Sequence, residues 1–349
     1  MRDERGFTLA ELLVATCITL LVLGGAMTAF KDALDVNQAG TFIADSTQNL
    51  RAATNLMVRD LMQAGRGIPT GGMPIPSGPG SIAILRPGPV GTAYTFDNVN
   101  YTTLPALVPG AGLGPAIDGQ ATDIVTVLMV DPTLAPLTLN ATPAVANQPT
   151  LAANGASLDA GTSPTWITDP TTGVRTGDLI MFTNALGNAM QMVTATNGTV
   201  AQFAAGDPLQ LNQPGAAQGS ITQIISAPIL QTTAQRILLV TYYVDNVSTP
   251  GSPRLARRIN AAAGQALAGV VEDLDLSFDL VDGAINPVAQ KNVPVTIGGV
   301  LYTPNQIRKA NVHVGVRSEE RSVKQGDYTR NHLTTVVSLR SLAYVDRYK

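Results

Sequence analysis

The stretch from Leu12 to Phe30 contains no Asp, Glu, Lys or Arg, and it limits what the whole chain can fold into. As an α-helix it is about 28 Å long at 1.5 Å per residue, close to the roughly 30 Å thickness of a bilayer's hydrocarbon core. A helix apolar on every side has no place on the surface of a water-soluble domain. It is expected to cross a membrane. One carboxylate, Glu11, stands at its head. A charge at that position costs several kcal/mol unless it is paired, so Glu11 reads as a functional residue. Arg2 and Arg5 precede the run, while Lys31, Asp32 and Asp35 follow it. The weak positive bias places the N-terminus in the cytoplasm and the bulk of the chain outside it.

Two ordinary targeting segments compete with that reading. A secretory signal peptide has a shorter apolar region and ends at an Ala-x-Ala-like site, and no clean site of that kind closes this run. A simple signal anchor has no use for Glu11. The segment Gly6-Phe7-Thr8-Leu9-Ala10-Glu11-Leu12-Leu13-Val14-Ala15 resembles the class III signal of type IV prepilins and pseudopilins. The resemblance implies that a dedicated inner-membrane prepilin peptidase cuts after Gly6 and N-methylates Phe7. It also implies that Glu11, then the fifth residue, faces the methylated amine of a neighbouring filament subunit. Pairing makes a charge in apolar surroundings tolerable, and the first helical turn favours negative charge. Major pilins often carry a Pro midway along this helix. Gly24-Gly25 takes that region here, a pair that can loosen a helix without removing an N–H donor.

The helical pattern continues beyond the apolar run. Ile43, Leu50, Met57, Leu61 and Ala64 recur on one face, and Arg51, Asn55, Arg59 and Gln63 lie elsewhere on the wheel. Gly65, Gly67 and Pro69 end the pattern. One helix is therefore expected from Phe7 to Ala64, its first half in the membrane over about 9–30 and its second half packed on a globular domain.

Charged residues make up only 13% of the 349 residues and the net charge is −3, with no basic surplus to suggest general nucleic-acid binding. The single cysteine, Cys17, lies inside the apolar helix, so no intramolecular disulfide can form. From Gly65 to about Gln120 the chain is dense in Pro and Gly and is read as turns and extended surface loops. Residues 131–175, with the only tryptophan at Trp166, are read the same way. Strands are expected at 123–130, in a hairpin of 178–183 with 189–194, and at 236–244, 254–259, 270–280, 307–316 and 333–339. One long helix followed by many strands predicts an α+β fold with an antiparallel sheet.

A second resemblance is less specific. Thr241-Tyr242-Tyr243-Val244, Leu255-Ala256-Arg257-Arg258, the segment Leu267 to Leu274, the strand around Asn311 to Arg317 and Thr335 to Arg340 come in one order. Upstream, Asn49-Leu50-Arg51 and Arg59 to Gly65 close the helix. The series resembles the PilW minor-pilin group and its type II secretion relative, the J pseudopilin. On this reading residues 1–6 are a leader, 7–64 the pilin-like helix, 65–235 a Pro/Gly-rich variable β region and 236–349 a C-terminal β region.

The other candidate sites are weaker. Glu272, Asp273, Asp275, Asp279 and Asp282 cluster in one region. Asp273, Asp275, Ser277 and Asp279 alternate with Leu274, Leu276, Phe278 and Leu280, the polar face of a half-buried strand. A calcium site on Asp273, Asp275 and Asp279 is the alternative, although the spacing is not that of an EF-hand. His313 and His332 are the only histidines and have no zinc-like spacing. Gly110-Ala111-Gly112-Leu113-Gly114 lacks the completed spacing of a nucleotide loop, and no Gly-x-Ser-x-Gly elbow is present. The expectation is a structural protein with no catalytic site and no cofactor. The resemblance implies a minor pilin of a type IV pilus, held in the bacterial inner membrane and then carried to the cell surface, near the pilus tip. Its implied partners are the prepilin peptidase, other minor and major pilins and the inner-membrane assembly platform. A J-type pseudopilin of a type II secretion system is the first alternative, and an adhesive or DNA-binding tip module within residues 70–235 is the second.

Overall fold

The computed structural model describes residues 8–140, 147–225, 230–321 and 327–342. The first helix, α1, runs unbroken over Leu9–Met62, about 81 Å by its rise per residue. Thr8 caps it from an extended conformation: its hydroxyl accepts from the Glu11 N–H at 3.3 Å, and the Glu11 carboxylate accepts from the Thr8 N–H at 3.0 Å. This reciprocal capping box satisfies two end groups that have no partner within the helix. Gly24 and Gly25 lie within the continuous helix and leave no break.

The two halves of α1 have different surroundings. Leu12, Ile18, Leu21 and Phe30 are all exposed, and the apolar half is covered by nothing else among the described residues. It is the helix among the described residues that is long and apolar enough to cross a membrane. From Ser46 onward one face is buried, through Leu50, Ala53, Met57 and Leu61. Ile43 departs from the expected face and stays 47% exposed, because the covering sheet does not reach that far down the helix. Gly65 and Gly67 adopt left-handed backbone just past the helix end, a conformation that other residues adopt only at a cost.

The α+β expectation agrees with the structure: α1 lies on a ten-stranded antiparallel sheet. Its strands are β1 (Leu107–Val108), β2 (Val125–Val130), β3 (Leu137–Leu139), β4 (Leu179–Asn184), β5 (Gly187–Met192), β6 (Thr232–Asp245), β7 (Arg254–Ile259), β8 (Gln265–Leu280), β9 (Ile307–Arg321) and β10 (Tyr328–Ser338). The main path is β5-β4-β6-β7-β8-β9-β10. The 14-residue β6 is the hub: along one edge it pairs with β3 and then β2, along the other with β4 and then β7. The sheet therefore runs across residue 235. Leu274, Leu276, Phe278 and Leu280 point inward with Val312, Val314 and Val337 to meet Leu50, Met57 and Leu61. Burying each large apolar side chain contributes about 1.5–3 kcal/mol.

The loop reading of residues 65–120 is corrected by the structure. Met73–Pro74 pairs with Thr103–Leu104, and Ile84–Arg86 pairs with Tyr94–Phe96. Met73, Ile75, Ile84, Phe96 and Leu104 are buried in a second core with Met181, Met190 and Leu239. Each short strand contributes one or two inward side chains, too few to form a visible alternation among the turn residues. The same correction applies to 131–175. Thr150–Leu151 and Ser157–Asp159 join Val200–Gln202 and Ala195–Asn197 in a four-stranded sheet. Trp166 is buried in a short helix, Thr165–Thr168, and donates its Nε1–H to the Ala135 carbonyl at 3.0 Å.

Candidate functional site

The functional residues expected from sequence fall at two places in this architecture. Gly6 and Phe7 lie outside the described residues. Glu11 sits in the first turn of α1, exposed, with its carboxylate turned back on Thr8. In the single chain this carboxylate has no cationic partner among the described residues and is held only by the capping box. The Thr8 bonds fix it near the helix end, where the unpaired N–H groups favour negative charge. The geometry can therefore present an oriented carboxylate to a cation arriving from another molecule.

The second place is the outer face of β8, β9 and β10. The alternation read from sequence is present: Asp273, Asp275, Ser277 and Asp279 face away from the core. Their oxygens go to different partners. The Asp273 Oδ2 lies 3.6 Å from His313 Nε2, Asp275 accepts from Lys291 Nζ at 2.8 Å, and Asp279 accepts from Asn311 Nδ2 at 3.2 Å and from the Ala289 N–H at 3.0 Å. Glu272 pairs with Arg330 at 2.9 Å and Arg317 at 3.4 Å. Among the described residues no three His, Cys, Asp or Glu side chains gather closely enough to hold a metal ion. His313 and His332 are neighbours, with ring centroids 5.6 Å apart, and the first also shares a hydrogen bond with the Thr334 hydroxyl.

Asp60 was not singled out by sequence reasoning. It is 3% exposed on the inner face of α1. Its Oδ2 accepts from the Tyr242 hydroxyl on β6 and from Arg257 Nε on β7, both at 2.7 Å. Burial and the neighbouring Asp60 charge push the Tyr242 pKa well above the usual phenol range. The Arg257 pKa is raised: burial opposes its charge, and the hydrogen bond and charge of Asp60 together with Tyr242 outweigh that. One carboxylate thus bolts the helix to two strands. The only sequence signal was a carboxylate one residue before Leu61, on the face predicted to be buried. A comparable cluster joins Arg236 on β6 to Asp131 at 2.8 Å and Asp178 at 3.5 Å.

Comparison with known proteins bears on the N-terminal end alone. Residues 1–27 match the family model described as the prokaryotic N-terminal methylation motif. No curated protein and no solved structure matches the chain. The matched segment holds Gly6, Phe7, Glu11 and most of the apolar half of α1, and it supports a type IV pilin-like, prepilin-type protein whose N-terminal helix can anchor it in a membrane.

Proposed function

We propose that this chain is a PilW-like minor pilin of a type IV pilus, with a structural rather than a catalytic role. The observation that carries this reading is a methylation motif on an uncovered apolar helix that stands clear of a folded domain. The prepilin peptidase cuts between Gly6 and Phe7 and methylates Phe7. Before assembly the first half of α1 spans the inner membrane, with the β domain outside the cytoplasm. In the filament the same half packs among the helices of other major and minor pilins, near the tip, and Glu11 pairs with a neighbour's methylated N-terminus. The order of strand segments from Thr241 to Arg340 is what favours the PilW-like assignment.

Co-expression with a prepilin peptidase tests the first step. The native chain is expected to lose residues 1–6, and Gly6→Val is expected to stay full length, because a branched side chain blocks close approach to the scissile backbone. A native chain that remains uncut would overturn the proposal.

A further inference from the structure

A cavity of about 290 Å³ opens between residues 94–113 and 293–305. It lies beside the turn that follows α1, where the Asn305 side-chain amide donates to the Gly71 carbonyl at 3.3 Å. That is the end of the domain away from the apolar half of the helix. Its walls are mostly apolar, including Phe96, Leu104, Pro105, Pro109 and Pro294. Proline rings hold their backbone at a fixed φ, so such a wall is largely formed before any ligand arrives. Tyr101 and Leu113 also line it, and they are 43% and 46% exposed.

Arg86 is the buried cation of this cavity, and its guanidinium carbon lies 5.8 Å from the centroid of the Phe96 ring, another wall residue. It is 5% exposed. Its Nε donates to the Thr126 hydroxyl at 3.0 Å, Nη1 to the Pro109 carbonyl at 3.0 Å, and Nη2 to the carbonyls of Val108 at 2.8 Å and Ile124 at 3.1 Å. A guanidinium has five N–H groups, so one on Nη1 is left without an acceptor among the described residues. Gly110 makes room for this cradle, since a Cβ there would stand 2.7 Å from Nη1. Among the described residues no carboxylate lies within salt-bridge distance of Arg86. Three comparably covered guanidiniums do have one: Arg236 has Asp131, Arg257 has Asp60 and Arg317 has Glu272. Burial pulls the Arg86 pKa down to about 9, which expresses the cost of holding its charge without a counter-ion.

A buried cation with a spare donor beside an apolar cavity is complementary to an anion carried on an apolar body. Asp97 also lines the cavity, with its pKa lowered by hydrogen bonds from the Asn100 side chain and backbone; its charge opposes any anion there and opposes a dianion more than a monoanion. We propose that this cavity binds a small monocarboxylate with an apolar body about the size of an aromatic ring, its carboxylate on Arg86 and its body between the proline walls. The inference does not depend on the pilin reading.

The full-length chain in lipid nanodiscs, titrated by calorimetry with 4-phenylbutyrate and with its neutral amide, 4-phenylbutyramide, tests it. The acid is expected to bind at least about tenfold more tightly than the amide. Thr103 is exposed and lines the cavity. Thr103→Trp is expected to fill the space and abolish binding while the fold is kept. Arg86→Gln, if it folds, is expected to remove the preference for the acid. Equal binding of acid and amide, undiminished binding to Thr103→Trp, or no saturable binding up to about 1 mM would each overturn the proposal.

Discussion

Replacing Asp60 by Ala should loosen α1 from the sheet. The substitution leaves the Arg257 guanidinium, with a side chain 11% exposed, and the hydroxyl of the fully buried Tyr242 without their shared acceptor. Removing one member of a buried ion pair costs about 3–5 kcal/mol, because the remaining charge is neither paired nor hydrated. At roughly 2–4 °C per kcal/mol for a domain of this size class, the melting temperature should fall by roughly 6–20 °C. Tyr242→Phe deletes only one hydrogen bond to a charged acceptor, about 1.5–3 kcal/mol. The two changes together should cost less than their sum by about 1–2 kcal/mol, since the hydroxyl has no carboxylate left to lose. Denaturant unfolding in detergent, followed by Trp166 fluorescence, reads all three variants. Limited proteolysis near Gly65 should accelerate in Asp60→Ala, where the end of the helix loses its bolt. A loss below about 1 kcal/mol would refute the reasoning, because that is the worth of a solvated surface pair.

Three further outcomes are expected. Glu11→Ala should leave cleavage after Gly6 largely intact but reduce incorporation into filaments, read by immunoblotting sheared filaments against the membrane fraction; full incorporation would remove the pairing role. Asp282, which accepts from the Tyr302 hydroxyl and from backbone N–H groups of Ala284 and Ile285, has its pKa pulled down to about 2, while Tyr302 is pushed up to about 12. The folded pKa lies below the ordinary value, so this contribution to stability is present above about pH 4 and is lost as pH falls toward 2; a carboxyl titration near 4 by NMR would contradict it. Gly67→Ala should destabilise by about 1–2 kcal/mol from its left-handed backbone alone, with a further penalty because the new Cβ would stand 2.7 Å from the Val130 Cγ2; an unchanged denaturation midpoint would show that the turn relaxes freely.

The long elements were legible in the sequence. The apolar run gave α1, and strict alternation from Asp273 to Leu280 gave both faces of β8, because each pattern repeats often enough to exclude the other period. Arg254–Ile259 was bounded correctly, whereas β6, β9 and β10 extend beyond the apolar runs that marked them. Their outer ends pair through residues such as Gln235, Arg317 and Arg330, whose side chains carry no strand signal. The hairpin Val295–Ile297 with Val300–Tyr302 was missed, although Gly298-Gly299, both with positive φ, supply the turn that a tight hairpin favours. The Pro/Gly-rich strands of two or three residues are set by contact with β4–β6 rather than by local pattern. The Glu11 signal is local, a carboxylate within one helical turn of Thr8. The Asp60 and Arg86 arrangements join residues far apart in sequence, 197 apart for Asp60 and Arg257, and no spacing rule reaches that distance.

The most direct test of the central claim is mass spectrometry of the N-terminal peptide from filaments sheared off native cells. A peptide beginning at N-methylated Phe7 in the filament fraction is the expected result, placing a processed chain in an extended pilus. Finding only chains that retain Met1 to Gly6, in filaments and envelope alike, would contradict the account.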